Sequence, residues 1–484
     1  MGFRTTCGAL GALSLLAGCA AWNDPINSFT PEPSTVAEAP FGGADKGRDD
    51  IFIGLAFSGG GTRASSFSYG MLKTLREATR SAENPDGLLS HVRLVSGVSG
   101  GSVTAAYYGL RGPQGLDTYR EYLVQDGEKY MATGVFNPFT LARGLSGGVN
   151  GRNTFARFLD ETILGGETFA DLWAAGHATT WINAADVANS TPFLFSQESF
   201  DALCSDLSDL PISEAVAASA AFPLVFSPIV LTAHQEGCNY EEPDWLTSAR
   251  NNPEATSALR AYGATLETYR DPEKVKYVKL LDGGITDNFG TTGLSVARAK
   301  AQNPYGPMTE EQAVKVSRVL FLVANAGTSS DYDWNQSVSG PGGIGLGLAI
   351  ANSSMGSATR VGYDVLRLSL DDYAADLIQW RCELPRSRVR QLRGTLAGWQ
   401  CDDLKLFVGE VAFGVLDAEE RALLDEIPTR LALETEQVDR AIRAGEVATR
   451  RNPEFNGFLR SIDAVTIPEG ATRIGATRIA PSGG

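Results

Sequence analysis

An α/β fold with strands buried on both faces is what the sequence predicts, and two observations predict it. Ile51–Phe57 is a continuous apolar run of strand length, the pattern of a parallel strand covered by helices on either side. That run and the shorter one at Val92–Val95 each pass through a glycine-bearing turn into a helical stretch. Composition permits such a core. The 484 residues are 43% hydrophobic and 20% charged, enough for one large domain or two ordinary ones. Lys and Arg number 41 against 57 Asp and Glu, a net charge of −16. A surface so acidic repels phosphate and speaks against nucleic acid as a partner. No apolar run reaches about 18 residues, so no helix is expected to span a membrane.

The first element is the amino terminus. Arg4, then small and apolar residues from Cys7 to Gly18, then Leu16-Ala17-Gly18-Cys19 read as a secretory signal over residues 1–18. The last four residues resemble the lipobox of bacterial lipoproteins, which implies acylation of Cys19 and an envelope address. Ala20, in place of the Asp of inner-membrane retention signals, points to the outer membrane. The opening Met1–Thr6 also fits a myristoylation pattern, set aside because an export segment follows it. Residues 19–50, with Pro25, Pro31, Pro33 and Pro40, are expected to be a flexible tether. With Cys7 in the signal and Cys19 acylated, Cys204, Cys238, Cys382 and Cys401 remain. Three pairings are possible. Sequence proximity favours Cys204–Cys238 and Cys382–Cys401, four separate thiols being the other reading. No zinc-ligand spacing occurs among them or the three histidines, so no metal is expected.

After the first strand comes Ser58-Gly59-Gly60-Gly61-Thr62-Arg63. Three glycines let the backbone turn tightly and gather N–H groups, and Ala64–Ala78 follows as a helix whose N-terminus favours an anion. The client is a phosphate or an acyl-transfer oxyanion. No Lys-Ser or Lys-Thr completes a P-loop. The second strand leads into Gly97-Val98-Ser99-Gly100-Gly101 and a helix from Ser102, the context of a nucleophile elbow. Thr179–Ala184 reads as a further strand.

A nucleophilic serine needs a base, and the histidines do not offer a good one. His91, His177 and His234 all lie before residue 235, whereas the α/β-hydrolase order places the histidine last. The base is therefore read as a carboxylate. Tyr277–Leu281 is a strand ending in Asp282-Gly283-Gly284, which aims Asp282 into a cleft at the strand end. Taken alone, Asp-Gly-Gly is an ordinary turn. Beside an anion-binding turn and an elbow serine, it supplies the missing role.

These motifs resemble the patatin-like phospholipase family. The resemblance rests on Gly59-Gly60-Gly61-Thr62-Arg63, Gly97-Val98-Ser99-Gly100-Gly101, Asp282-Gly283-Gly284 and Ala217–Pro223 with Phe226 and Pro228. It covers roughly residues 50–300; Ala64 departs where many members carry Gly. It implies a three-layer α/β/α sandwich on a mostly parallel sheet. It also implies Ser99 as nucleophile, Asp282 as its base, and oxyanion donors at Gly59, Gly60 and Gly61 beside Arg63. An Asp near pKa 3.9 is a weak base, so burial should raise it. The activity implied is lipid acyl hydrolysis of phospholipase A or lysophospholipase type, on a phospholipid or other fatty-acyl ester, with no cofactor and no calcium. A thioesterase or short-chain esterase on the same pair, and a silent scaffold, are the alternatives.

Past the catalytic stretch, expected at 51–328, Val319–Val323 reads as a buried strand. Ser337–Ile350 reads as a Gly-rich loop, with a lid as the second reading. Leu404–Phe413 alternates like a strand. Asp417 and Glu420 mark a helix start, and Glu434–Arg450 carries one apolar stripe. Residues 329–484 are thus an α+β extension packed on the same body. Phe136–Phe139 reads as buried packing rather than a lipid contact.

Overall fold

Strands β1 (Ile51–Phe57), β2 (Val92–Val98), β3 (Thr179–Asp186), β4 (Thr191–Leu194), β5 (Ile229–Thr232), β6 (Tyr277–Asp282), β7 (Arg318–Asn325) and β8 (Lys405–Ala412) form one sheet. Its order is β5-β6-β3-β2-β1-β7-β8, with β4 paired to β3. From β3 to β8 the neighbours are parallel. Antiparallel pairing is confined to β4, β5 and β6 at the other side. The computed structural model describes residues 23–32, 41, 50–131, 148–329, 333–336 and 338–463. The predicted signal, Cys19 and Phe136–Phe139 lie outside the described residues.

Alternation along the strands builds the layers. Ile53, Leu55 and Phe57 enter one core, while Ala56 and Phe52 enter the other; a buried side chain of this size contributes roughly 1.5–3 kcal/mol. Five helices matter for the site: α1 (Gly61–Ala78), α2 (Gly100–Leu123), α3 (Ile212–Ser219), α4 (Gly343–Glu383) and α5 (Thr435–Arg451). Leu72 and Leu75 of α1, Val103 of α2 and Val438 of α5 belong to the first core. Leu366 and Leu377 of α4 belong to the second. The result is the three-layer α/β/α sandwich on a mostly parallel sheet.

The extension is built into this body. β8 pairs with β7 in register from Arg318–Lys405 to Asn325–Ala412, and α5 lies across α1. At the crossing, a Cβ on Gly70 would strike the Ile442 carbonyl, and one on Gly445 the Phe67 carbonyl. Only bare backbones let the two axes come this close.

Three expectations need correction. Residues 23–32, part of the expected tether, are pinned to the edge strand β5. Ile26 N donates to Val230 O at 3.0 Å, and Asn27 Nδ2 to Thr232 O at 2.9 Å. Phe41 is also buried, against Phe52 and Trp181. Asparagine amides that match backbone donors and acceptors cover an exposed sheet edge. Next, the expected loop 337–350 is helical from Gly343 onward, because Leu346, Leu348, Ala349 and Ala351 favour helix strongly enough to outweigh the interleaved glycines. Finally, Asp417 is the N-cap residue of a helix at Ala418–Asp425 but makes no side-chain cap; its carboxylate pairs instead with Arg451 at 3.4 Å. Disulfides join Cys204 to Cys238 and Cys382 to Cys401.

Candidate active site

β2 ends at Val98, and Ser99 sits between strand and helix with φ 52° and ψ −122°. A serine pays about 1–3 kcal/mol to hold such a conformation, so the surroundings must fix it. They do. Ser99 N donates to Ser219 Oγ of α3 at 2.8 Å, and that hydroxyl donates to Asn183 O of β3 at 2.6 Å. Ser102 N closes the turn on Ser99 O at 3.0 Å. The flanking glycines serve close approach: a Cβ on Gly100 would strike the Gly61 carbonyl, and one on Gly101 the Phe57 carbonyl.

Asp282 reaches the same level from the opposite direction. β3 pairs Asn183 with Val98 and then overshoots β2 by three residues; β6 descends antiparallel along that overhang until Asp282 lies beside Ala184. Asp282 is 2% exposed and Ser99 6%. The carboxylate accepts from Gly284 N at 2.9 Å, and the Ser99 hydroxyl lies near enough to act on its charge. Burial pushes its pKa up from 3.8 to about 6, against the pull of those two groups. A carboxylate destabilised by the dry interior is a better proton acceptor than one in water.

The three glycines divide their tasks. Gly60 and Gly61 hold φ 139° and 60°, a path that favours glycine. Gly59 N donates to Asn288 Oδ1 at 3.1 Å, so this amide is already engaged. Among the described residues, the Gly60, Gly61 and Gly100 amides have no protein acceptor. They cluster where the N-termini of α1 and α2 meet, as an anion site requires. Arg63 needs correction as a donor to this site. Its guanidinium, 4% exposed, donates to Ala326 O at 3.2 Å, to Ile427 O and to Thr429 Oγ1 at 3.1 Å. Burial lowers its pKa to about 10, with Asp425 opposing the shift. Desolvation forces it to satisfy its donors locally, at Ala326 O just past β7 and at Ile427 and Thr429 of the C-terminal segment.

Sequence reasoning missed Ser219, Asn288, the Gly100 amide and Met355. Asn288 also donates to Thr359 Oγ1 of α4 at 2.8 Å, and Ser354 Oγ to Ile285 O at 2.9 Å. These bonds hold α4 over the site. A Cβ built on Gly59 would lie 3.3 Å from Ser99 Cβ and 3.8 Å from Met355 Cε; one on Gly284 would lie 3.2 Å from Asp282 Oδ1 and 2.8 Å from the same methyl. Met355 therefore overlooks both members of the pair. On the other side, a small, partly open cleft starts at Gly61 and Gly100 and is walled by Val103, Leu123, Phe155, Phe158, Leu159 and Leu431 among others. The histidines pack elsewhere: His234 against Phe29, His177 against Gly112, and His91 just before β2. Among the described residues no cluster of His, Cys, Asp and Glu is arranged to hold a metal.

No curated protein sequence matches the chain. Among solved structures, human GIVD cytosolic phospholipase A2 is similar at 12% identity and TM-score 0.41, over 86% of this chain. The chain spans 60% of that protein's length. Its complex with methyl gamma-linolenyl fluorophosphonate and terbium chloride matches at 13% identity and TM-score 0.35, over 83% of this chain and 57% of that one. The family model described as patatin-like phospholipase matches residues 55–294, a stretch that holds the glycine turn, Ser99 and Asp282, and over these residues the chain belongs to the patatin-like phospholipase family.

Proposed function

We propose that this protein hydrolyses fatty-acyl esters of lipids, as a phospholipase A or lysophospholipase, through Ser99 and Asp282. The observation that carries the reading is the juxtaposition of a strained elbow serine and a buried aspartate whose pKa rises to about 6. Asp282 takes the proton from Ser99 Oγ as that oxygen bonds to the ester carbonyl carbon. The carbonyl oxygen gains charge beside the Gly60, Gly61 and Gly100 amides. Collapse breaks the bond to the alcohol, which leaves with the proton, and an acyl-serine remains. Water, deprotonated by the same carboxylate, releases the fatty acid and restores the pair. The apolar cleft from Gly61 and Gly100 to Leu431 suits an acyl chain, since each CH₂ moved out of water contributes about 0.8 kcal/mol.

A fluorophosphonate probe should label Ser99. Ser99→Ala and Asp282→Asn should each lower lipid ester hydrolysis at least about a thousandfold while leaving the fold intact, as for removal of a nucleophile or its base. Full activity in a soluble, folded Ser99→Ala protein would end the reading. The same proposal tethers the protein to the bacterial envelope, at the outer membrane, through acyl chains on Cys19. Cys19→Ser should move it from the membrane to the soluble fraction with unchanged turnover of a water-soluble ester.

A further inference from the structure

Helix α4 has two opposite faces, and only one is used. Met355, Thr359, Gly362, Leu366, Leu370, Tyr373 and Leu377 recur every three or four residues and face the sheet or the active-site loop, as their contacts with Gly59, Asn288, Phe289 and the second core show. Half a turn round the helix lie Leu346, Ile350, Val361, Val365 and Leu368, between 49% and 65% exposed. At 3.6 residues per turn these five fall on one side of the helix over roughly 33 Å, interrupted around Ser353 and Ser357 and by exposed Asp364. We infer that this outward face of α4 is a docking surface for the interface of a lipid bilayer.

Three observations favour a bilayer as the occupant. Between Asp333 and Arg360, the stretch that carries Leu346 and Ile350, the chain has no charged residue, although 20% of the whole chain is charged. A neutral stretch can enter the acyl boundary without desolvating an ion, and a protein of net charge −16 needs apolar rather than coulombic attachment to lipid. The stripe is also narrow. Five half-exposed aliphatic side chains offer on the order of 450 Å², against roughly 800 Å² per partner in a stable protein pair. A bilayer has no such minimum, because it takes up each apolar side chain separately. Finally, the surface is continuous with the active site, since the turn of α4 that follows Ile350 carries Ser354 and Met355 onto the Asp282 loop. This last point rests on the proposed reading of Ser99 and Asp282; the stripe and the neutrality of its N-terminal half do not.

The test reads the helix itself. Full-length protein carrying Cys7→Ser, Cys19→Ser and Ile350→Cys, with the other cysteines in disulfides, is labelled with an environment-sensitive fluorophore. It is then mixed with vesicles of neutral phosphatidylcholine. The label should brighten and shift to the blue, and nitroxide-bearing lipid should quench it, whereas a label at exposed Arg390→Cys should not respond. Leu346→Glu with Ile350→Glu should weaken vesicle binding about tenfold or more, the effect of returning two aliphatic side chains to water. Hydrolysis of a monomeric water-soluble ester should change less than about twofold. Binding is measured in Ser99→Ala protein as well, so the result stands whether or not that serine is the nucleophile. A silent label at position 350 on vesicle-bound protein overturns the inference. So does a dimer that the Glu substitutions dissociate while vesicle binding stays unchanged, which would give the surface to a second copy.

Discussion

At the residue scale the central quantity is the proton on Asp282. Its pKa in the fold is about 6 against an ordinary 3.8, so kcat/KM for an ester should rise with pH through a midpoint near 6 and level off above about 7. Stability runs the other way. Between those two values the folded protein keeps a proton that the unfolded chain has lost, so stability falls as pH climbs through the window, by on the order of 3 kcal/mol in all. Asp282→Asn should therefore abolish turnover yet raise Tm at pH 7–8 by about 2–5 °C, with the gain fading below pH 4. Calorimetry of the two proteins across pH checks both signs. Ser99 and Asp282 were readable because each sits in a short local pattern, a strand that meets glycines. Asn288 and Met355 carry no such mark. Their roles come from contacts with Gly59 across 229 and almost 300 positions of chain, and no local pattern encodes a neighbour supplied by another layer. Arg63 shows the converse: the motif named the residue, but two of its three partners lie in the C-terminal segment.

Elements were legible in proportion to how uniformly they are buried. β1 and β7 lie under helices on both faces and show almost unbroken apolar runs, while the equally buried β2 keeps only a short one around Leu94 and Val95. β4 and β5 have four residues each, too few for a period to emerge, and the antiparallel sense of β6 follows from the overhang of β3 rather than from anything in β6. The glycines of α4 pointed to a loop, whereas its Leu and Ala residues decided the outcome. Glycine carried the opposite meaning at the α1–α5 crossing, where Gly70 and Gly445 touch backbone to backbone. Gly445→Val should push the helices apart, costing about 2–3 kcal/mol and lowering Tm by at least about 5 °C. Because α1 begins at the Gly60–Gly61 turn, ester hydrolysis should fall as well, beyond what the loss of folded protein explains. A thermal scan paired with fluorophosphonate titration of intact sites separates the two effects; unchanged Tm would show that the crossing tolerates a side chain.

For the whole molecule, the question is whether residues 51–328 can stand alone. The family match stops at 294, and the catalytic stretch read from the sequence ends at 328, yet the contacts cross that boundary everywhere. β8 satisfies the free edge of β7 along eight residue pairs. α5 covers α1, placing Val438, Ile442 and Ala448 in the same core as Leu72 and Leu75. Ile427 and Thr429 take two of the contacts of the Arg63 guanidinium, while Arg430 O receives Thr62 N at 2.8 Å at the start of α1. Leu431 walls the cleft. Removing all this would leave a buried cation short of acceptors, each loss costing about 1–3 kcal/mol or more, beside an open strand edge and a bare apolar helix face. Those costs together exceed the 5–15 kcal/mol by which ordinary domains are stable. A chain ending at residue 328 should therefore lack a cooperative thermal transition and aggregate when expressed. Restoring residues 329–463 should recover both the transition and fluorophosphonate labelling of Ser99. A soluble, monomeric 1–328 fragment that labels as fast as the full chain would show that the extension is an accessory layer and that the glycine turn holds its shape without it.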